Sequence, residues 1–155
     1  MRCAFLAAAV LLASCGSHEK SATMGGATFK SDESAGTASI TTANGSIRTT
    51  EGKAAAAVAM PAFAPLYPGA TVEGVIEADA GGHKSRMVTL ATTDPVAKVA
   101  DFYKAALAKQ GWNTPQSLLT GDSALLSGEK DGKQVSIAIS RQDDKTNAVL
   151  SVPND

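Results

Sequence analysis

The sequence predicts an α+β fold, in which one amphipathic helix packs on a small antiparallel sheet. Three observations predict it. Residues 70–152 contain runs in which apolar and polar residues alternate, glycine-containing turn signals separate several of these runs, and only residues 95–110 follow a helical period. The order of these elements is β-β-α-β-β-β, and a helix on one face of an antiparallel sheet is the usual two-layer solution for it.

The predicted helix has signals at both of its ends. Asp94 is a favourable N-cap, Pro95 suits the first helical position, and Gly111 stands where a glycine commonly ends a helix. At 100° per residue one side of the helix is mainly apolar, so we expect it to face the sheet. That side holds Val96, Val99, Tyr103, Ala106, Leu107 and Gln110.

Five strands are predicted around this helix. Residues 70–78 and 84–92 precede it, and residues 123–129, 133–140 and 147–152 follow it, with a further strand near 116–119 left open. The segment Lys-Asp-Gly at 130–132 indicates a hairpin turn. Together these elements define an α+β domain over residues 65–155, which is long enough to bury a modest core.

The segment before this domain carries a weaker β pattern. Asn44 and Gly45 form a strong turn signal between two Thr- and Ser-rich runs, so residues 27–52 are interpreted as a β-hairpin-like segment. This segment either docks on the later domain or forms a loosely ordered appendage. Its few large apolar residues favour the appendage. Residues 53–64 are rich in alanine and are interpreted as a linker.

The N-terminus has the pattern of a secretory signal. Arg2 precedes an apolar stretch over residues 3–13, which is too short to span a membrane as a helix. The next residues, Leu-Ala-Ser-Cys at 12–15, resemble the lipobox of bacterial prelipoproteins. The alternatives are an ordinary signal peptide that is cleaved elsewhere, or a buried helix with an incidental cysteine.

The lipobox resemblance implies a defined maturation. Residues 1–14 would be removed as the signal peptide, Cys15 would carry the lipid and become the first mature residue, and residues 15–26 would form a flexible lipidated tether. Cys3 would leave with the signal, so no thiol pair would remain for a disulfide. Gly16 stands where an aspartate favours inner-membrane retention, so the expected location is the outer membrane, facing the periplasm.

Charge narrows the expected partners. The chain has 14 Lys and Arg against 15 Asp and Glu, so its net charge of −1 gives no basic surface for nucleic acid. The expected partners are the membrane, through the lipid on Cys15, and an unidentified envelope protein, glycan or lipid. The open face or edge of the small sheet is the expected contact surface.

A second resemblance covers the chain from Pro65 onwards. Residues 66–70 (Leu-Tyr-Pro-Gly-Ala) precede a strand, and a motif Phe-Tyr-Lys-x-x-Leu-x-x-x-Gly-Trp at 102–112 ends the helix. These motifs resemble a family of bacterial envelope lipoproteins that has no established activity. The resemblance therefore implies a fold and a compartment and adds no reaction.

The sequence contains little that indicates catalysis. The two histidines, His18 and His83, have no partner at metal-ligand spacing, and the pair Asp143-Asp144 is typical of a turn. We therefore expect no catalytic residue, metal or cofactor, and interpret the chain as a non-catalytic binding or adaptor module. The alternative is an envelope-polymer hydrolase with an unrecognised site.

Three aromatic residues are candidates for a contact surface. They are Tyr67, Tyr103 and Trp112. The competing interpretation, which we favour, is that they pack in the core with their polar atoms at its rim.

Overall fold

A computed structural model describes residues 19–154 and, at 115 and 116, the backbone only. The predicted signal peptide, Cys15 and His18 lie outside the described residues. The described chain forms ten strands and two helices. The strands are β1 (Glu19–Met24), β2 (Ala27–Asp32), β3 (Thr37–Thr42), β4 (Gly45–Glu51), β5 (Thr71–Ala80), β6 (His83–Thr92), β7 (Asn113–Leu119), β8 (Ser123–Lys130), β9 (Lys133–Gln142) and β10 (Lys145–Pro153). The helices are α1 (Gly52–Ala56) and α2 (Val96–Lys109).

All ten strands belong to one antiparallel sheet with the order β1-β2-β3-β4-β5-β6-β10-β9-β8-β7. Strands β1 to β6 follow one another as a meander. Helix α2 then carries the chain from β6 to the far edge of the sheet, and β7 to β10 return as a second meander. The last strand, β10, therefore pairs with both β9 and β6.

The predicted fold class is wrong. The sheet is large, a second short helix is present, and the segments predicted as a tether and a separate hairpin contain strands of the same sheet. Strand β4 pairs with β5 along its length, from Gly45 opposite Ala80 to Glu51 opposite Gly74. These N-terminal strands join the sheet through backbone pairing, which requires few large apolar side chains. The proposed domain boundary at residue 65 stays a prediction.

Strands and the helix predicted after residue 70 are observed close to their predicted positions. The segment left open near 116–119 belongs to β7. Gly111 has a φ of 73°, and the Trp112 N–H donates to the carbonyl oxygen of Leu107 at 3.0 Å. This is the left-handed glycine ending that the sequence predicts for α2.

The core lies on one side of the sheet, which we call the inner face. Helix α2 packs there on β7, β8 and β9, whereas α1 packs on β4 and β5. A row of directly paired residues crosses this face beneath the helices, and all of its members are almost fully buried. The row consists of Leu126, Ile137, Leu150, Val88 and Val75.

A bulge in β5 adapts this strand to the core. Val72 pairs with Leu90 and Gly74 pairs with Thr89, so Glu73 is an extra residue in β5. Because of this residue, Val72 and Val75 both point to the inner face although they are three positions apart. Both valines are buried there.

No helix among the described residues has the length and apolar character needed to cross a membrane.

Candidate functional site

The opposite side of the sheet, which we call the outer face, carries most of the exposed apolar side chains. Nine large hydrophobic side chains are exposed in the described part of the chain. The strand registers place eight of them on the outer face, and Leu119 is the ninth. The eight are Met24, Phe29, Ile40, Ile47, Ile76, Met87, Leu118 and Leu125.

Four strands at the N-terminal end of the sheet form the more continuous part of this surface. Ala22, Phe29, Ile40 and Ile47 are direct cross-strand partners on β1 to β4, and we call these four residues the N-terminal patch. Phe29, Ile40 and Ile47 are 42%, 42% and 51% exposed. The patch lines a shallow, mainly apolar depression of about 400 Å³.

The outer face of the remaining strands is more mixed. A row of one methionine and three serines crosses β6, β10, β9 and β8, from Met87 through Ser151 and Ser136 to Ser127. Leu118 and Leu125, which pair directly on β7 and β8, stand beyond this row near the far edge of the sheet. We call these two leucines the C-terminal patch.

Strands β1 to β4 carry polar side chains on their inner face, which is opposite the N-terminal patch. Arg48 pairs with Ser39 on one side and with Glu77 on the other. The neighbouring Arg86 donates to Glu77 Oε1 at 2.6 and 3.0 Å and to the carbonyl oxygen of Ala59. The apolar side of the sheet therefore changes from the inner face in the helix-covered part to the outer face at β1 to β4.

The three aromatic residues singled out from the sequence lie in the core. Tyr67, Tyr103 and Trp112 are 5%, 0% and 7% exposed. The Tyr67 ring packs edge-on against Phe102 with ring centroids 5.0 Å apart, and Trp112 packs on Phe63 at 4.5 Å. Their burial agrees with packing in the core and gives the contact-surface hypothesis no support. The Tyr103 hydroxyl, however, is itself buried and does not reach the rim.

The prediction that Asp94 is the N-cap of α2 is wrong. The structure has Pro95 at the N-cap position, and no side chain caps this helix end. Instead, Asp94 Oδ2 accepts a hydrogen bond from the Tyr67 hydroxyl at 2.6 Å and lies 2.9 Å from Lys98 Nζ. The carboxylate thus ties the segment before β5 to the start of α2.

This contact shifts the pKa values of both partners. Hydrogen bonds from Tyr67 and then Lys98 lower the pKa of Asp94 below its ordinary value. Burial, followed by the hydrogen bond to Asp94, raises the pKa of Tyr67 to about 12. Burial also raises the pKa of Tyr103.

We expect Tyr67→Phe to flatten the pH dependence of stability at both extremes. The lowered pKa of Asp94 stabilises the fold above the ordinary carboxyl pKa of 3.8, and this contribution is lost as pH falls through the folded-state pKa. The raised pKa of Tyr67 stabilises the fold below pH 10, and this contribution is lost between pH 10 and about 12. Urea midpoints measured at pH 2–5 and 9–12 check this. Identical profiles for wild type and variant would contradict it.

The described residues contain no group of three or more His, Cys, Asp and Glu side chains that could hold a metal ion. His83 begins β6 in the hairpin with β5. Asp143 has a φ of 54° in the turn between β9 and β10, so its backbone has the left-handed conformation that aspartate tolerates in turns. The turn interpretation of this aspartate pair accounts for its position.

The sequence shows that the segment 27–52 has few large apolar residues, but it does not show that Phe29, Ile40 and Ile47 lie side by side. The Asn-Gly turn does place Ile40 opposite Ile47, and this pairing was the available signal. Their alignment with Ala22 depends on further strand pairings whose registers the sequence does not state.

A family model described as START domain-like matches residues 72–146. The match runs from β5 to the beginning of β10 and includes α2. No curated protein and no solved structure matches the chain. The resemblances to prelipoproteins and to the envelope lipoprotein family stay predictions. The detected similarity thus lies in the helix-covered part of the sheet, and the N-terminal patch precedes the matched residues.

Proposed function

We propose that this chain is a lipid-anchored protein of the cell envelope that acts by binding, through the outer face of its sheet. The observation that carries the binding role is the concentration of exposed large hydrophobic side chains on that face. Single exposed hydrophobic residues are ordinary on soluble proteins, whereas grouped ones mark interaction surfaces.

The sequence supports the proposed anchor. The proposed lipid is attached to Cys15 in the Leu-Ala-Ser-Cys segment, and the proposed location is the outer membrane on its periplasmic side. Two or three acyl chains hold a protein durably at a bilayer. Such an anchor raises the effective concentration of a neighbouring envelope protein, glycan or lipid, so that a weak interface becomes occupied.

We expect the lipid on Cys15 to disappear in Cys15→Ala. Bacteria grown with a fatty-acid analogue should label the wild-type chain and the control Ser17→Ala, because Ser17 follows the lipobox. Cys15→Ala should remain unlabelled. Equal labelling of Cys15→Ala and wild type would exclude the proposed anchor.

The binding role is tested by a photoreactive residue placed at position 125 in the full-length chain. Leu125 is exposed on the outer face, whereas the matched control, Ala108, is exposed on α2. Irradiated cells should give a discrete crosslinked product from position 125 and none from position 108. Identical products from both positions, or none from either, would contradict a specific contact through the outer face.

A further inference from the structure

The N-terminal patch is apolar over a continuous area. Its four residues lie side by side on neighbouring strands, so the row is about 14 Å long at the usual strand spacing. The next strand along the row contributes Ala78, opposite Ile47. This half of the outer face therefore resembles the surface of a sheet that normally lies against another apolar layer.

Chain length places this patch close to the proposed anchor. Cys15 precedes Glu19, the first residue of β1, by four positions, so the two residues are at most about 14 Å apart. Strand β1 is the edge strand of the sheet and contributes Ala22 to the patch. A bilayer that holds a lipid on Cys15 is therefore within reach of the patch.

The C-terminal patch lies elsewhere. Strand β8 is seven positions from β2 in the sheet, which corresponds to roughly 34 Å at the usual strand spacing. Neighbouring strands rotate by about 20–25° on average, so the sheet normal turns through a large angle over this distance. At this average twist, a flat surface that touches Phe29 and Ile47 does not reach Leu125.

The charges around the patch also fit a lipid surface. Lys20 is the charged residue among the outward-facing side chains that line the depression, and its Nζ lies 2.8 Å from Glu33 Oε1. Its aliphatic stem can lie along apolar surface while its ammonium group stays in water. Contact with a bilayer would therefore bury Phe29, Ile40 and Ile47 without the burial of an unpaired charge.

We propose that the N-terminal patch lies against the surface of the bilayer that holds the anchor, with Phe29, Ile40 and Ile47 in contact with lipid. This inference rests on the proposed lipid anchor and assigns that anchor a second, non-covalent contact. The contact fixes the orientation of the sheet on the membrane. It leaves the C-terminal patch directed away from the bilayer, where an envelope partner can reach it.

Nitroxide labels on the full-length lipidated protein test this orientation. The chain has only Cys3 and Cys15, and the proposed maturation leaves neither as a free thiol, so one introduced cysteine is labelled selectively. The labelled variants are Ile47→Cys and the matched control Arg48→Cys, which is the next residue and points to the other face. Leu125→Cys reports on the distant patch and Ser17→Cys reports on the anchor.

In vesicles of neutral phosphatidylcholine, the label at position 47 should become several-fold less accessible to a water-soluble nickel chelate and more accessible to oxygen. Labels at positions 48 and 125 should keep the accessibility that they have in solution. Protection at position 17 without protection at position 47 would overturn the proposed orientation and leave the anchor intact. An unprotected label at position 17 would instead refute the anchor itself.

The same experiment also tests whether a second copy of the chain, rather than lipid, covers the N-terminal patch. Spin–spin broadening at position 47, present equally with and without vesicles, would show that two copies cover each other's patch. That result would overturn the proposed membrane contact. Oxygen access that rises only when vesicles are present would support it.

Discussion

Replacement of Leu107 by alanine is expected to lower the free energy of unfolding by about 2–5 kcal/mol, because the side chain is fully buried between α2 and the sheet. The control Lys104→Ala, on a partly exposed position of the same helix, should cost less than about 0.5 kcal/mol. Urea unfolding followed by circular dichroism measures both. Similar losses for the two variants would mean that α2 does not bury this face.

The size of this effect follows from the position of Leu107. Its carbonyl oxygen accepts hydrogen bonds from the N–H groups of Gln110 and Trp112, so the same residue closes the end of the helix. The cavity left by alanine would lie under this closed turn, where the backbone has little freedom to collapse into it. A loss towards the upper part of the range is therefore expected.

Sequence patterns predicted the second half of the sheet well because burial there is one-sided. Val135, Ile137 and Ile139 alternate with exposed residues on β9, and α2 repeats its buried residues at helical spacing. The spacing of buried residues shows which face of a strand or helix packs against the rest of the protein. They are visible in a single chain without knowledge of any neighbour.

The first half of the sheet was harder to predict because its strands bury few large apolar side chains. These strands are joined mainly by backbone hydrogen bonds, which leave no periodic pattern in the sequence. Thr- and Ser-rich strands such as β3 show that a segment is extended but do not state which strand it pairs with. The join between β4 and β5 also crosses α1 and the segment 57–70. A pairing over such a distance has no local sequence signal.

Contacts between side chains that are distant in the sequence also lack a local sequence signal. Tyr67 and Asp94 are 27 residues apart, and their hydrogen bond replaced the helix cap that the local sequence predicts. The bulge at Glu73 changes which residues of β5 face the core. The outer face became recognisable as a candidate site only after the registers aligned residues from separate strands.

Replacement of Trp112 by alanine is expected to lower the free energy of unfolding by about 3–5 kcal/mol. The Trp112 ring packs on Phe63 and lies over Gly128, where a Cβ would be 3.4 Å from Trp112 Cε3 and 2.8 Å from a methyl carbon of Val135. Gly128→Ala should therefore also destabilise the fold, by about 1–3 kcal/mol, because the added methyl overpacks this contact.

The matched control for Trp112 is Leu118→Ala, because Leu118 is a large apolar residue with 63% of its surface exposed on the outer face. Its loss should cost less than about 0.5 kcal/mol. Urea unfolding followed by far-UV circular dichroism compares the three variants without dependence on tryptophan fluorescence. If Trp112→Ala cost as little as Leu118→Ala, Trp112 would not be a core residue and its hypothesised role in contact with a partner would regain support. A large loss for Trp112 with a small one for Leu118 separates the residues that maintain the fold from those that remain exposed for binding.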